Sequence, residues 1–209
     1  MYQYISLLTK RYPVLKACQG SIEDACRILE DSYRNGGKLL VGGNGGSCAD
    51  SEHIVGELMK SFVKKRSLPA ALQDALRETD PGLGAKLAEG LQGALPAIAL
   101  TGHPGLSTAF ANDADPEMVF AQQVNGYGTE NDVLLAISTS GNSGNLLLAA
   151  VTARAKGMKV ITLTGRDGGR LARLSDCVII VPLQETYQIQ ELHLPVYHAL
   201  CLQLEEDLF

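Results

Sequence analysis

The amino-acid sequence predicts an α/β fold, an open parallel sheet between two helical layers forming a three-layer sandwich. Three observations carry this expectation. Five short β-rich apolar runs, "KLLVG" at 38–42, "PAIALT" at 96–101, "DVLLAIS" at 132–138, "MKVITLTG" at 158–165 and "CVIIVP" at 177–182, are each bounded by Gly, Asn, Asp or Pro. The runs are apolar on both faces, as strands covered from two sides must be. Most are followed by a helical stretch, and that alternation belongs to a parallel sheet with crossover helices. With 209 residues and 45% hydrophobic side chains, the chain is expected to form a single compact domain over 1–209.

The elements follow in order. Apolar residues in 2–9 and again in 20–35 recur at helical spacing, with Pro13 between them and Ser21 set three residues before Asp24 as a capping signal, so two N-terminal helices are expected over about 1–35. The first strand leads through "GGNGGS", residues 42–47, into a helix over 50–64. Between the first and second strands, residues 68–96 are Ala/Leu-rich helical sequence broken at "DPGLG". Its bland reading is a surface helical hairpin, and its alternative is a lid or an oligomer contact. "FANDADPEMVF", 110–120, places Asn112 and Asp113 in a polar turn of the kind that starts a helix. The chain closes with the helix "YQIQELHLPVYHALCLQLEEDLF".

Composition excludes several classes. A net charge of −5, with Lys64-Lys65-Arg66 as the longest basic run, argues against a general grip on nucleic acid. No apolar run approaches the length of a membrane-spanning helix, and the N-terminus lacks a charged region before an apolar stretch. Five cysteines without CxxC spacing indicate free thiols and a cytoplasmic location.

In an open α/β sheet, ligands bind beyond the carboxyl ends of the strands. Two loops there are unusual. "GGNGGS" fits neither the dinucleotide pattern nor a P-loop; it is either a tight strand-to-helix turn or bare backbone that approaches a ligand at a helix N-terminus. "STSGNSGN", 138–145, offers the hydroxyls of Ser138, Thr139, Ser140 and Ser143 beside free backbone N–H groups. Capping needs one such side chain, whereas a phosphate monoester uses several. His53 and Glu57, at i and i+4, share one helix face and suit a divalent metal, an acid–base pair or a plain surface pair. In the last helix, Gln190 and His198 stand about 12 Å apart along the axis, long for two ligands of one ion. The bland reading of His193 is a helix-surface residue.

Taken together and in this order, "GNGGS", the His53/Glu57 pair, "FAND", "LLAISTSGNSGN", "AKGMKVITLTGRDGG" and "IQELHLPVYHALC" resemble the sugar isomerase (SIS) domain family, specifically the phosphoheptose isomerases. The resemblance implies a five-stranded parallel sheet, a homotetramer with sites at subunit interfaces, and one zinc ion per site. It implies conversion of sedoheptulose 7-phosphate to D-glycero-D-manno-heptose 7-phosphate through an enediol. By position, Asn44, Gly45, Gly46, Ser47, Asn112, Asp113 and Gln190 would contact the sugar phosphate, and Ser138, Thr139, Ser140 and Ser143 its phosphate. His53, Glu57, Gln190 and His198 match the metal positions, with Glu57 as carbon base and His198 as proton shuttle. Two departures stand out: the 69–94 insertion, and Cys48 where the family commonly has His. The alternatives are an isomerase for another sugar phosphate, or a non-catalytic SIS protein binding a replication initiator or other protein; such a binding relative lacks the acid and base that Glu57 and His198 supply here.

Overall fold

The computed structural model describes residues 2–209. Five strands, β1 (Leu39–Gly43), β2 (Ala97–Ala99), β3 (Val133–Ile137), β4 (Lys159–Thr164) and β5 (Cys177–Ile180), form one sheet in the order β2-β1-β3-β4-β5. Every pairing is parallel, with Leu39 opposite both Ala97 and Val133, Val133 opposite Lys159, and Ile161 opposite Cys177. The fold class and the five strands are those expected: β1 is shifted by one residue from its run, β2 is three residues shorter than its run, and the other three are each two shorter.

Alternate strand residues feed two cores. Leu39, Val41, Leu135, Ile137, Ile161 and Leu163 pack on α1 (Gln3–Arg11), α2 (Gln19–Arg34), α3 (Gly46–Met59) and α9 (Thr186–Leu208). Leu40, Leu134, Ala136 and Val160 face the other way, onto α7 (Val119–Tyr127) and α8 (Gly144–Ala155). The helix after β1 therefore lies on one face and the helix after β3 on the other. Since β1 and β3 are neighbours, their two loops open a crevice where the winding reverses. "GGNGGS" and "STSGNSGN" are those loops.

The remaining helices are α4 (Ala70–Thr79) and α5 (Pro81–Gly90) in the insertion, and α6 (Pro104–Asp113). In the insertion, the Asp80 carboxylate accepts the N–H groups of Gly82 and Leu83 at 2.9 and 2.7 Å, and Pro81 occupies the first helical position, so "TDPG" ends α4 and caps α5 in one step. The two helices pack chiefly on each other, and Leu72, Leu83, Leu87 and Leu91 remain exposed. Among the described residues, no helix is long and apolar enough to cross a membrane.

Four local expectations need correction. The helix carrying His53 and Glu57 spans Gly46–Met59, not 50–64, because the chain after Met59 is drawn away by Glu205, whose carboxylate accepts the N–H groups of Phe62, Val63 and Lys64 at 2.8, 2.9 and 2.9 Å. Ser21 caps nothing: a short 3-10 turn over Pro13–Cys18 runs directly into α2. Asn112 and Asp113 end a helix rather than begin one, since Pro104 starts α6 and Pro116 follows closely behind. His193 is fully buried, because it lies on the face of α9 that also carries Ile189, Val196, Tyr197 and Leu200.

Candidate active site

The crevice between β1 and β3 is lined by backbone and hydroxyls. Gly45, at φ 57° and ψ −119°, adopts a conformation open essentially to glycine alone and turns the chain from β1 into α3 without a side-chain cap. At the other loop, Gly141 has φ +64°, and a Cβ there would run into the carbonyl of Gly168. The Ser143 side chain likewise leaves the N-terminus of α8 uncapped; its Oγ lies 3.0 Å from Ser138 Oγ. Ser138, Thr139, Ser140 and Ser143 thus stand in one loop at the positive end of α8, with Ser138 and Ser143 paired and Ser140 Oγ accepting from Asn142 N at 3.2 Å.

Two residues absent from the sequence-based site tie this region together. Asn145 and Asn44 exchange side-chain amide hydrogen bonds of 2.9 and 3.0 Å, bridging the two loops. Arg166, with φ 54° in a region costly for a non-glycine residue, donates to Gln184 O and Thr186 Oγ1 at 3.1 and 3.3 Å. With Ser140, Asn142, Asp167 and Gln184 it lines a cleft of about 380 Å³ beside the serine-rich loop. Only the quoted "STSGNSGN" and "TGRDGG" stretches hinted at either. Ser47 is buried in the first turn of α3, Cys48 is half-buried beside it, and Asn112 and Asp113 are exposed and bonded to each other at 2.9 Å.

A second centre lies further along α3. His53 Nε2 is 3.4 Å from Glu57 Oε1 and 3.4 Å from His198 Nε2, so three of the expected residues meet within one chain. Glu57 Oε2 also accepts from Lys60 Nζ at 2.6 Å, and Phe62 packs a tilted ring against His198. Behind His53, Tyr197 Oη is 3.0 Å from its Nδ1 and 3.2 Å from Asp50 Oδ1. Burial lowers the pKa of His198, His53 adding to the effect and Glu57 opposing it. Burial raises Asp50, against the pull of the Tyr197 hydroxyl and His53. A cleft of about 290 Å³ between α1 and α9 opens beside His198.

Gln190 does not join this centre within the chain. It stands at the glycine loop, where a Cβ on Gly46 would lie 2.7 Å from its Nε2. That position suits a substrate contact; as a metal ligand it is about 12 Å along α9 from His198.

His53, Glu57 and His198 are donor types that zinc takes, but the three do not all lie within 4.8 Å of one another. Two donors each about 2.1 Å from a tetrahedral ion lie about 3.4 Å apart, the separation of both pairs that include His53. The third edge is open, with Lys60 holding the other Glu57 oxygen aside. Among the described residues, the three donors that do all lie within 4.8 Å of one another are Cys26, Glu30 and Asp207. That group is a poor thiolate site: the Cys26 thiol donates to Glu30 Oε1 at 3.4 Å, and burial, with Glu30 beside it, pushes its pKa far up.

Comparison with known proteins decides the family. The SIS domain family model matches residues 92–205. A phosphoheptose isomerase from Thiobacillus denitrificans is 43% identical over 183 residues, 86% of this chain and 80% of that protein. The chain belongs to the SIS-domain phosphoheptose isomerase family. Among other relatives in the family, the phosphoheptose isomerase of Rhodospirillum rubrum is 38% identical over 191 residues, covering 91% of this chain and 88% of its own. Solved phosphoheptose isomerase structures from Francisella tularensis and Neisseria gonorrhoeae, both 33% identical, superpose with TM-scores of 0.77 and 0.75. They cover 96% and 94% of this chain, and 93% and 91% of the respective structures are covered in turn.

Proposed function

We propose that this chain is a sugar-phosphate isomerase that interconverts sedoheptulose 7-phosphate and D-glycero-D-manno-heptose 7-phosphate through an enediol. The observation that carries the reading is the meeting of Glu57, His53 and His198 in one partly buried centre. An aldose–ketose interconversion moves one proton between adjacent carbons and another between the oxygens they bear. Glu57 takes the carbon-bound proton and returns it to the neighbouring carbon, its carboxylate steadied by Lys60. His198, whose pKa burial lowers, both accepts and donates a proton and so serves the oxygens. The cradle formed by Ser138, Thr139, Ser140 and Ser143 with the N-terminus of α8 holds the phosphate, while Asn44, Gly45, Gly46, Ser47 and Gln190 border the sugar; Asn112 and Asp113 are assigned to the sugar by resemblance alone. His53, with His198 and a labile or indirect Glu57, would hold a zinc ion, which would supply Lewis acidity toward the carbonyl oxygen; Glu57 cannot be tightly bound to it while serving as the carbon base.

The site is read as shared between copies of the chain in a homotetramer. From Gly46 to Glu57 the rise along α3 is about 16 Å, more than an extended seven-carbon sugar phosphate spans between phosphate and reacting carbons. That rise favours a site in which the cradle of one chain works with the acid–base centre of another. A neighbouring copy would bring its own centre to this cradle, and Gln190 would then complete a metal set across the interface. The chain is further read as one domain over 1–209 working in the cytoplasm, where its five free thiols stay reduced.

The test is turnover of purified protein on a panel of ketose phosphates, with Glu57→Gln and His198→Ala alongside. The reading expects turnover on sedoheptulose 7-phosphate, lowered about 10²- to 10⁴-fold in each variant with the fold retained. No turnover on any ketose phosphate, with tight binding of a protein partner instead, would refute it.

A further inference from the structure

We infer that Asp50 and Tyr197 are positioning residues that fix the tautomer of His53. This rests on the isomerase reading only in that His53 faces the reacting centre. Tyr197 is 1% exposed, and its hydroxyl sits between Asp50 Oδ1 at 3.2 Å and His53 Nδ1 at 3.0 Å, with the imidazole set edge-on to the phenol. A phenol has one proton to give. A carboxylate only accepts, and a hydrogen bond to an ionised acceptor is about twice as strong as one between neutral groups. The phenol proton therefore goes to Asp50. The phenol oxygen, left facing Nδ1, then accepts from it, so His53 carries its proton on Nδ1.

The consequence falls on the other ring nitrogen. Nε2 presents a lone pair to Glu57 Oε1 and to His198 Nε2, each 3.4 Å away. Where His198 carries its proton on Nε2 it donates to that lone pair; where it does not, three electron-rich atoms face one another, an arrangement that a cation among them relieves. The relay makes His53 a ready ligand for a cation and prevents it from presenting an N–H there. With the opposite tautomer, Nε2–H would donate to Glu57 and close the centre with an internal hydrogen bond.

Asp50→Asn separates this role from simple packing. An Asn amide can donate to the phenol oxygen, which frees the Tyr197 hydroxyl to donate to Nδ1 and moves the His53 proton to Nε2 with the geometry kept. Tyr197→Phe removes the relay altogether. The measurement is ¹⁵N NMR of the imidazole rings in metal-free protein, with His53 assigned by loss of its signals in His53→Asn, together with Zn²⁺ titration of the same samples. Expected are an Nδ1–H tautomer in the parent, an Nε2–H tautomer in Asp50→Asn, and zinc binding about 10- to 100-fold weaker in both relay variants. An unchanged tautomer in Asp50→Asn with zinc affinity within about twofold of the parent overturns the inference. Neither readout involves turnover. A protein inactive on sugar phosphates can still show the tautomer switch, and an active one can still lack it.

Discussion

His193 makes stability depend on pH in a way that can be isolated. The ring is 0% exposed, both nitrogens lack hydrogen-bond partners, and burial lowers its pKa from the ordinary 6.5 to about 4, the backbone near Thr164 opposing only weakly. Between those two values the unfolded chain binds a proton that the folded chain refuses. Stability is therefore complete above about pH 6.5 and declines as pH falls toward 4. At 1.36 kcal/mol per pKa unit the loss is about 3 kcal/mol. His193→Leu keeps similar volume and removes both the titration and two unpaired buried polar atoms. Urea unfolding of parent and variant at equal protein concentration, from pH 7 to pH 4, measures the difference. At pH 7 the variant should be as stable as the parent or more so, by about 1 kcal/mol. Its advantage should then widen by about 3 kcal/mol toward pH 4, roughly 1–1.5 M in urea midpoint. Other groups titrate equally in both proteins and cancel. Parallel curves across that range would refute the reasoning.

Two further outcomes are expected. Glu205, 1% exposed, pairs with Arg66 at 2.7 Å while accepting three backbone N–H groups, and Arg66 in turn donates to the carbonyls of Glu57 and Leu58. Glu205→Ala leaves that guanidinium buried and unpaired and should cost about 3–5 kcal/mol, seen by calorimetry as a Tm lower by about 6–20 °C; a fall under about 2 °C would show the pair to be dispensable. If sites are shared, Glu57→Gln and a Ser138→Ala/Ser140→Ala cradle variant, each inactive alone, should regain activity when refolded together. Random mixing joins an intact cradle to an intact centre in roughly a quarter of sites. No recovery in oligomers proved to be mixed by mass would mean that each chain builds its own site.

Much of this arrangement was legible in the sequence, and the illegible part has a common cause. Strands buried on both faces read as unbroken apolar runs, and a loop with four hydroxyl or amide side chains ahead of a helix exceeds what capping needs. Both signals are local. The layout of α9 is not: over 23 residues it is apolar nearly all round, so nothing in its pattern distinguishes the buried His193 from the half-buried His198. Nothing local in the sequence joins Tyr197 to Asp50, whose side-chain oxygens folding sets 3.2 Å apart. Asn145 likewise gains its role only from Asn44, which folding places opposite it.

The spacing of α9 that argued against a common site becomes informative once the two helices are laid side by side. Gln190 lies against Gly46 and His198 against His53, so α3 and α9 run parallel in matching register, seven residues of one against eight of the other. The 12 Å between Gln190 and His198 is thus the distance from the cradle end of α3 to its acid–base end. Each helix carries one member of both centres. A shift of α9 by one turn, about 5.4 Å, would break both together. Tyr197, next to His198 and bonded across to Asp50 and His53 at the acid–base end, is placed to hold that register, and the buried Arg66–Glu205 pair secures it again beyond the end of α3. Positional accuracy at the reacting centre therefore depends on the pairing of these helices more than on the loops. For that reason Asp50 and Glu205, neither of which meets the substrate, are expected to matter as much as residues that do.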